Sequence, residues 1–362
     1  MRHVFEIVRF DKEEKYIKDF IALKKKLYTR KNNTESVSDI TRILTETHPL
    51  SHYFKLDKFL IYDDGKVCGR FCFTRYPDDP VCYIGFYECV NNDDAAKFLF
   101  DNAARIASEM GYKKITGPVD CSFWIKYRLK INLFDRLPYT GEPYNLDYYL
   151  KQFTDNGYEV CEHYISNYFT KIVEPDAKYV KRLNEFRAKG YEIRSPLPEE
   201  FDKVIGEIYV LITRLYSNFP IYRGLTEEEF RQIFNDYRLI LDMRYVKMAY
   251  YQGEAVAFFI GVPDYGARVY NTKNLINLAG ILKRKKKAEA YVLPYLGAYP
   301  EHAGLGAALT GAMMIQLKET GGESIGALCR DGKISGHYAK AFFDNEYEYA
   351  LLSKDISGEQ LT

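Results

Sequence analysis

The sequence predicts an α/β chain made of two copies of one unit, each a mixed, mostly antiparallel sheet flanked by helices. Three observations predict it. The 362 residues exceed what one hydrophobic core usually supports, so two domains are expected. Apolar runs of period two alternate with runs of helical period. The same ordered set of signals also occurs in both halves of the chain.

The first signal is a hairpin. Phe59 to Phe73 alternates apolar and polar residues around Asp64-Gly65, and Val246 to Ile260 does so around Gln252-Gly253; each is followed by Pro-Asp, at Pro77 and Pro263. A strand, a helix and a second strand come next: Val81 to Cys89, Asp93 to Met110 and Lys113 to Thr116 in the first half; Ala290 to Ala298, Gly304 to Thr320 and Ser324 to Cys329 in the second. Phe153-Thr-Asp-Asn-Gly-Tyr-Glu159 then matches Phe342-Phe-Asp-Asn-Glu-Tyr-Glu348, read in both places as a helix ending at Asp-Asn before a strand resumes. The expected boundaries are a first domain over 1–172, a linker helix over 173–189 and a second domain over 190–362, opening with a strand at Gly190 to Arg194.

Composition narrows the function. With 47% hydrophobic and 28% charged residues the chain is expected to fold, and a net charge of +1 leaves no global field for DNA or an anionic surface, so any polyanion contact must be local. Seven cysteines form an odd set without metal-knuckle spacing; Cys68 and Cys72 lie in a strand pattern, so reduced thiols and no metal site are expected. The amino terminus has no apolar leader segment, and the longest apolar stretch, Ala255 to Val262, is far shorter than the ~20 residues that span a bilayer. A cytoplasmic protein without a transmembrane segment is expected. The 33 tyrosines supply large surfaces carrying a hydroxyl but name no ligand.

The sharpest local feature is Leu293 to Leu317: a strand, the tight loop His302-Ala303-Gly304-Leu305-Gly306-Ala307-Ala308, then a helix. Such a loop presents backbone N–H groups at a helix amino terminus, where the macrodipole also favours anions. Glycine there lets the backbone approach a pyrophosphate; the competing reading is close helix-to-strand packing. A dinucleotide fingerprint is rejected, because Glu323, at the right distance, stands on the threshold of the next strand.

On these residues the second half resembles a GCN5-related N-acetyltransferase (GNAT) domain. The family's Arg/Gln-x-x-Gly-x-Gly/Ala loop falls on Ala303 to Ala308, with Ala303 in place of the usual Arg or Gln. The resemblance implies that Ala303, Gly304, Leu305, Gly306, Ala307 and Ala308 bind the coenzyme A pyrophosphate, and that Leu296, Gly297 and Ala298 align the pantetheine arm of acetyl-CoA or another acyl-CoA. Through Tyr83-Ile-Gly-Phe-Tyr-Glu-Cys, Thr116-Gly-Pro-Val-Asp and Asn218-Phe-Pro-Ile-Tyr-Arg-Gly, most of residues 55–350 also resemble bacterial tandem-GNAT proteins. In the first copy the matching loop, Val90-Asn-Asn-Asp-Asp-Ala95, has no glycine, and its aspartates would repel a phosphate.

The resemblance further implies a tyrosine on a last helix as the acid for the leaving thiolate, but alignment puts Phe343 there. Tyr338 is the preferred substitute and Tyr347 the second. Glu289, His302 and His337 are the candidate bases. Tyr216, Asn218 and Tyr222 fall where the family binds its acceptor. Lys283 to Lys287 is expected as a solvated loop that could attract a phosphate, RNA or a membrane surface, and Asn271 to Gly280 before it has helical spacing. The leading expectation is transfer of an acetyl or short acyl group to a primary amine of a small molecule, by a chain that could pair as a homodimer. The alternatives are a noncatalytic acyl-CoA sensor or scaffold, and a Fem-type transferase using aminoacyl-tRNA.

Overall fold

A computed structural model describes residues 4–217, 219, 221–330, 332 and 338–357. The chain divides into two units: Met1–His163 with Tyr349–Thr362, and Tyr164–Glu348.

Unit 1 contains β1 (Phe5–Phe10), α1 (Glu14–Leu27), α2 (Val37–Leu44), β2 (Lys55–Asp63), β3 (Lys66–Arg75), β4 (Val81–Cys89), α3 (Asp93–Glu109) and β5 (Lys114–Gly117). The short strands β6 (Val119–Asp120), β7 (Lys126–Tyr127) and β8 (Leu129–Lys130) follow, then α4 (Tyr149–Asp155) and the start of β9 (Glu159–Phe169). Unit 2 takes over within β9 and adds α5 (Ala177–Ala188), β10 (Glu192–Arg194), α6 (Phe201–Tyr216), α7 (Glu227–Phe234), α8 (Tyr237–Ile240), β11 (Val246–Tyr251), β12 (Glu254–Pro263), α9 (Leu275–Lys286), β13 (Ala290–Ala298), α10 (Leu305–Thr320), β14 (Glu323–Arg330) and the start of β15 (Phe343–Asp355).

The duplication is visible in topology. Strands run in the order β1-β2-β3-β4-β5 in unit 1 and β10-β11-β12-β13-β14 in unit 2, antiparallel throughout except for the parallel pairs β4·β5 and β13·β14. Both hairpins turn on two residues of positive φ, Asp64-Gly65 and Gln252-Gly253, the geometry that the dipeptides predicted. The final strand of each copy starts in its own unit and ends in the other. Residues 164–169 of β9 pair antiparallel with β14, and residues 349–355 of β15 pair with β8 and β5.

Three expectations are corrected. The stretch 173–189 is no linker: α5 buries Tyr179, Leu183 and Phe186 in the unit 2 core, and residues 164–172 belong to the same unit. The helix expected before Asp344-Asn345 is absent among the described residues, where Lys340–Phe342 form a 3-10 turn and β15 starts at Phe343. Burial rises along β15, from exposed Phe343 and Asp344 to fully enclosed Tyr349, Ala350, Leu351 and Leu352, and Ala339 at φ 58 interrupts any helical path. The basic run is the last turn of α9 rather than a loop, with Lys287 as its cap.

The seven cysteines are free thiols, five of them buried. Lys247 on β11 is 7% exposed and donates to Ser195 Oγ at 2.8 Å and the Arg244 carbonyl at 2.7 Å. Burial holds its ammonium down at about 8. The folded state therefore binds fewer protons than the unfolded chain between pH 8 and the ordinary lysine value. Stability is penalised in full below pH 8 and recovers as pH rises toward that value, by up to about 3 kcal/mol. Lys247→Met is expected to lose this slope: denaturant midpoints taken from pH 7 to 10 should converge on the wild type as pH rises, and a constant difference would refute the perturbed lysine.

Candidate functional site

The site is built where α10 leaves the sheet of unit 2. β13 pairs with β14 only over Ala290–Leu293, opposite Glu323–Gly326. Beyond Leu293 it stays on β12, with Tyr295↔Ile260, Leu296↔Phe259, Gly297↔Phe258 and Ala298↔Ala257. Leu328 at φ 59 accompanies a register shift between Gly326 and Cys329 in β14, so the two parallel strands part company. The far half of β13 is only partly buried.

The chain then makes a 3-10 turn at Pro300–His302 and enters α10 through Gly304, whose φ of 92 is left-handed. A side chain at Gly304 would be strained whatever the space around it. Among the described residues no side chain caps this helix, which leaves its first N–H groups, from Leu305, Gly306 and Ala307, outside the helix's own bonding. Gly306 is also a close approach: a Cβ there would lie 3.3 Å from the Tyr338 hydroxyl and 4.0 Å from Leu296 Cδ2. Ala303, Gly304, Leu305, Gly306, Ala307, Ala308, Leu296 and Tyr338 are thus gathered at one end of the unit.

A residue that the sequence reading missed joins them. Arg182 on α5 lies with its Nε 3.8 Å from the position of a Gly304 Cβ, beside the Phe186 ring at 3.6 Å. Arg182 is half-exposed and pairs with Glu185 at 3.0 Å. Its placement follows from packing: a Cβ on Gly311 would meet the Tyr179 carbonyl oxygen at 2.4 Å, so the glycine lets α5 cross α10 in backbone contact and carries Arg182 to the loop. The apolar spacing of Tyr179, Leu183 and Phe186 was the available signal that this segment packs.

His302 sits beside the loop, its Nδ1 2.7 Å from the Tyr191 hydroxyl and its ring edge-on to Tyr191 and Tyr251. Glu301 pairs with Arg214 at 2.7 Å, and Arg214 lies over the Tyr299 ring. Tyr216, at the end of α6, has its ring centroid 6.4 Å from that of Tyr295 on the open half of β13. Tyr222 follows in the next loop, its hydroxyl pushed up by burial. Asn218 and His337 lie outside the described residues. Glu289 is not brought to the loop, since it precedes β13 at the opposite end of that strand, about 25 Å from Gly297 at strand rise. Phe343 is 48% exposed at the start of β15. Tyr347 is buried at 3% within the same strand.

Unit 1 closes the matching positions with its own groups. Asn92 caps α3 by accepting from Ala95 N, ahead of Asp93 and Asp94. Asp120 Oδ1 accepts from Phe86 N at 2.5 Å, where β4 parts from β5, and a Cβ on Gly85 would collide with the Val119 carbonyl. Among the described residues, the start of α3 thus has a side-chain cap and the Phe86 N–H a side-chain acceptor, unlike the start of α10.

Comparison with solved structures gives the class of fold. The chain aligns over 99% of its length with 100% of a tandem GNAT protein from the clavulanic acid biosynthesis pathway, at TM-score 0.56 and 11% identity. It aligns over 98% of its length with 38% of a fungal multi-domain β-N-acetylglucosaminidase carrying a GCN5-related glucosamine N-acetyltransferase region, at TM-score 0.53 and 14% identity. The chain therefore spans well under half of that second protein. No protein-family model matches the sequence, and no curated protein matches it. The fold is a tandem GNAT fold, as the loop and the duplication predicted. Among the described residues no helix is long and apolar enough to cross a membrane.

Proposed function

We propose that this chain is an acyl-CoA-dependent N-acyltransferase, in the simplest case an acetyltransferase, acting on a primary amine of a small molecule, with its cofactor site in unit 2. The observation that carries the reading is the uncapped amino terminus of α10, opened by left-handed Gly304 and flanked by Arg182. The residues present fit a pyrophosphate: N–H donors of Leu305, Gly306 and Ala307, a helix dipole of the right sign, and no Cβ at 304 or 306 to fill the cradle. Arg182 supplies from α5 the charge that Ala303 lacks. The Tyr338 hydroxyl stands against Gly306, at the phosphate end, which supports a role in holding phosphate over one in protonating a thiolate.

Acyl-CoA would bring an activated acyl group as a thioester. The chain's part is to hold the carrier by its phosphates, extend its arm along the edge of β13 left open past Leu293, and offer backbone donors near Leu296 to Ala298 to the carbonyl. Tyr216 beside Tyr295 gives that edge an aromatic wall for the acceptor.

Calorimetric titration with acetyl-CoA and coenzyme A tests the reading, followed by an amine panel read by thiol release. Arg182→Ala is expected to weaken binding about tenfold, the worth of one charge-assisted hydrogen bond, with the fold unchanged because the side chain is half-exposed. Absence of binding by folded wild type would sink the proposal. Binding without turnover across the panel would favour a sensor.

A further inference from the structure

The helix that ends in the basic run presents an unusual outer face. Leu275, Ile276 and Leu282 of α9 are 79%, 74% and 48% exposed, and Ala279 is exposed with them. On a helix of 3.6 residues per turn, positions 275, 279, 282 and 286 fall on one arc, with 276 and 283 at its side. Ile281, fully buried, points the opposite way, so the apolar arc faces away from the unit's core. The arc is apolar over its first two turns and cationic at its end, where Lys283 and Lys286 lie, followed by exposed Lys287. Lys285 is turned the other way and anchors the helix, donating to the Leu239 and Arg238 carbonyls at 2.9 and 3.3 Å. Gly280 sits down on Arg268, 3.1 Å from where its Cβ would be.

We propose that α9 is an interfacial anchor that seats unit 2 on an anionic lipid surface. A soluble face normally puts its leucines inward; here the helix is held down by Ile281 and Lys285 while its leucines and isoleucine point out. A bilayer surface satisfies both parts of the arc, taking up the apolar side chains at the level of the acyl-chain boundary and pairing the lysines with anionic headgroups. Nucleic acid would engage the lysines and leave Leu275 and Ile276 in water. A chain with a net charge of +1 has no general attraction for anionic lipid, so the effect must arise from this local cluster. The helix is twelve residues long and lies on the surface without crossing it. The inference is independent of acyl transfer and stands or falls on lipid binding alone.

The test is sedimentation of the full chain with vesicles of mixed phosphatidylglycerol and phosphatidylcholine, against phosphatidylcholine alone, at low and high salt. Binding to the anionic vesicles, weakened by salt, is expected. Leu275→Glu with Ile276→Glu should abolish it without altering circular dichroism, since both side chains are exposed. Lys283→Gln, Lys286→Gln and Lys287→Gln together should weaken it about a hundredfold, at roughly fivefold for each lysine. Failure of the folded wild type to bind, or binding indifferent to the Leu275 and Ile276 changes, overturns the proposal. So does an RNA homopolymer bound through the lysines with no vesicle binding, which would make the run a nucleic-acid site. A dimer dissolved by the Leu275 and Ile276 changes, again without lipid binding, would assign the face to a second copy.

Discussion

Gly306→Val is expected to lower acyl-CoA affinity at least about a hundredfold while leaving the protein folded. The backbone of Gly306 is helical, a conformation that valine adopts at no greater cost than glycine. Its nearest neighbour would be the tip of the Tyr338 side chain at 3.3 Å, which can swing aside. The cost falls instead on the ligand. A phosphate at a helix amino terminus must come within hydrogen-bonding distance of the N–H groups of the first turn, and branched methyls at position 306 stand in that approach. Loss of two or more charge-assisted hydrogen bonds accounts for the factor. Gly304→Val makes a poorer probe: with φ at 92, any side chain adds backbone strain of about 1–2 kcal/mol, so that lost stability and lost binding would be confounded. Calorimetry on Gly306→Val beside wild type, with thermal melts of both, separates the two effects. Equal affinity in both proteins would remove the pyrophosphate from this loop.

What the sequence made legible were the parts whose signals are local. The Asp-Gly and Gln-Gly hairpins, the strand bounds of β4 and β13, and the glycine-led start of α10 are each set by residues adjacent in the chain, and all three stand in the structure as read. The parts that escaped depend on tertiary partners. Residues 173–189 are charged enough to pass for a solvated linker, and only the packing of Tyr179 against Gly311 makes α5 a core helix and delivers Arg182 to the loop. The match of Phe342 to Glu348 with Phe153 to Glu159 suggested a second helix end. In unit 1 that segment is the end of α4, capped at Asn156, whereas in unit 2 it runs from a 3-10 turn ending at Phe342 into the start of β15. Glu289 looked like a base because it opens the central strand, yet strand rise alone carries it to the far end of the unit. The candidate site was therefore legible as a loop and not as a constellation.

Lys130→Met should cost unit 1 about 3–5 kcal/mol, a large share of a typical domain's stability. Lys130 and Glu142 are fully enclosed and paired at 2.8 Å. Glu142 also accepts from the Tyr349 hydroxyl at 2.8 Å, and Tyr349 meets Tyr139 at 2.9 Å. Burial already pushes the Glu142 carboxyl up, and Lys130 is the chief opposing influence. Without the ammonium the carboxyl moves up further. The folded variant then binds a proton that its unfolded chain releases, and its deficit against wild type must grow as pH rises through the carboxylate range and shrink as pH falls. Lys130→Met combined with Glu142→Leu should recover most of the loss, because removing both partners leaves no orphaned charge in the core. Urea unfolding of the four proteins of the cycle at pH 5 and pH 8 measures both effects. The same network ties the end of β15 into unit 1: Tyr349 donates to a carboxylate 207 residues earlier in the chain. Removing the chain from Tyr349 onward would leave Glu142 short of a donor and β5 short of a partner. A cycle without a pH-dependent coupling between Lys130 and Glu142 would mean that packing of β15 alone, and not this buried pair, holds the strand in place.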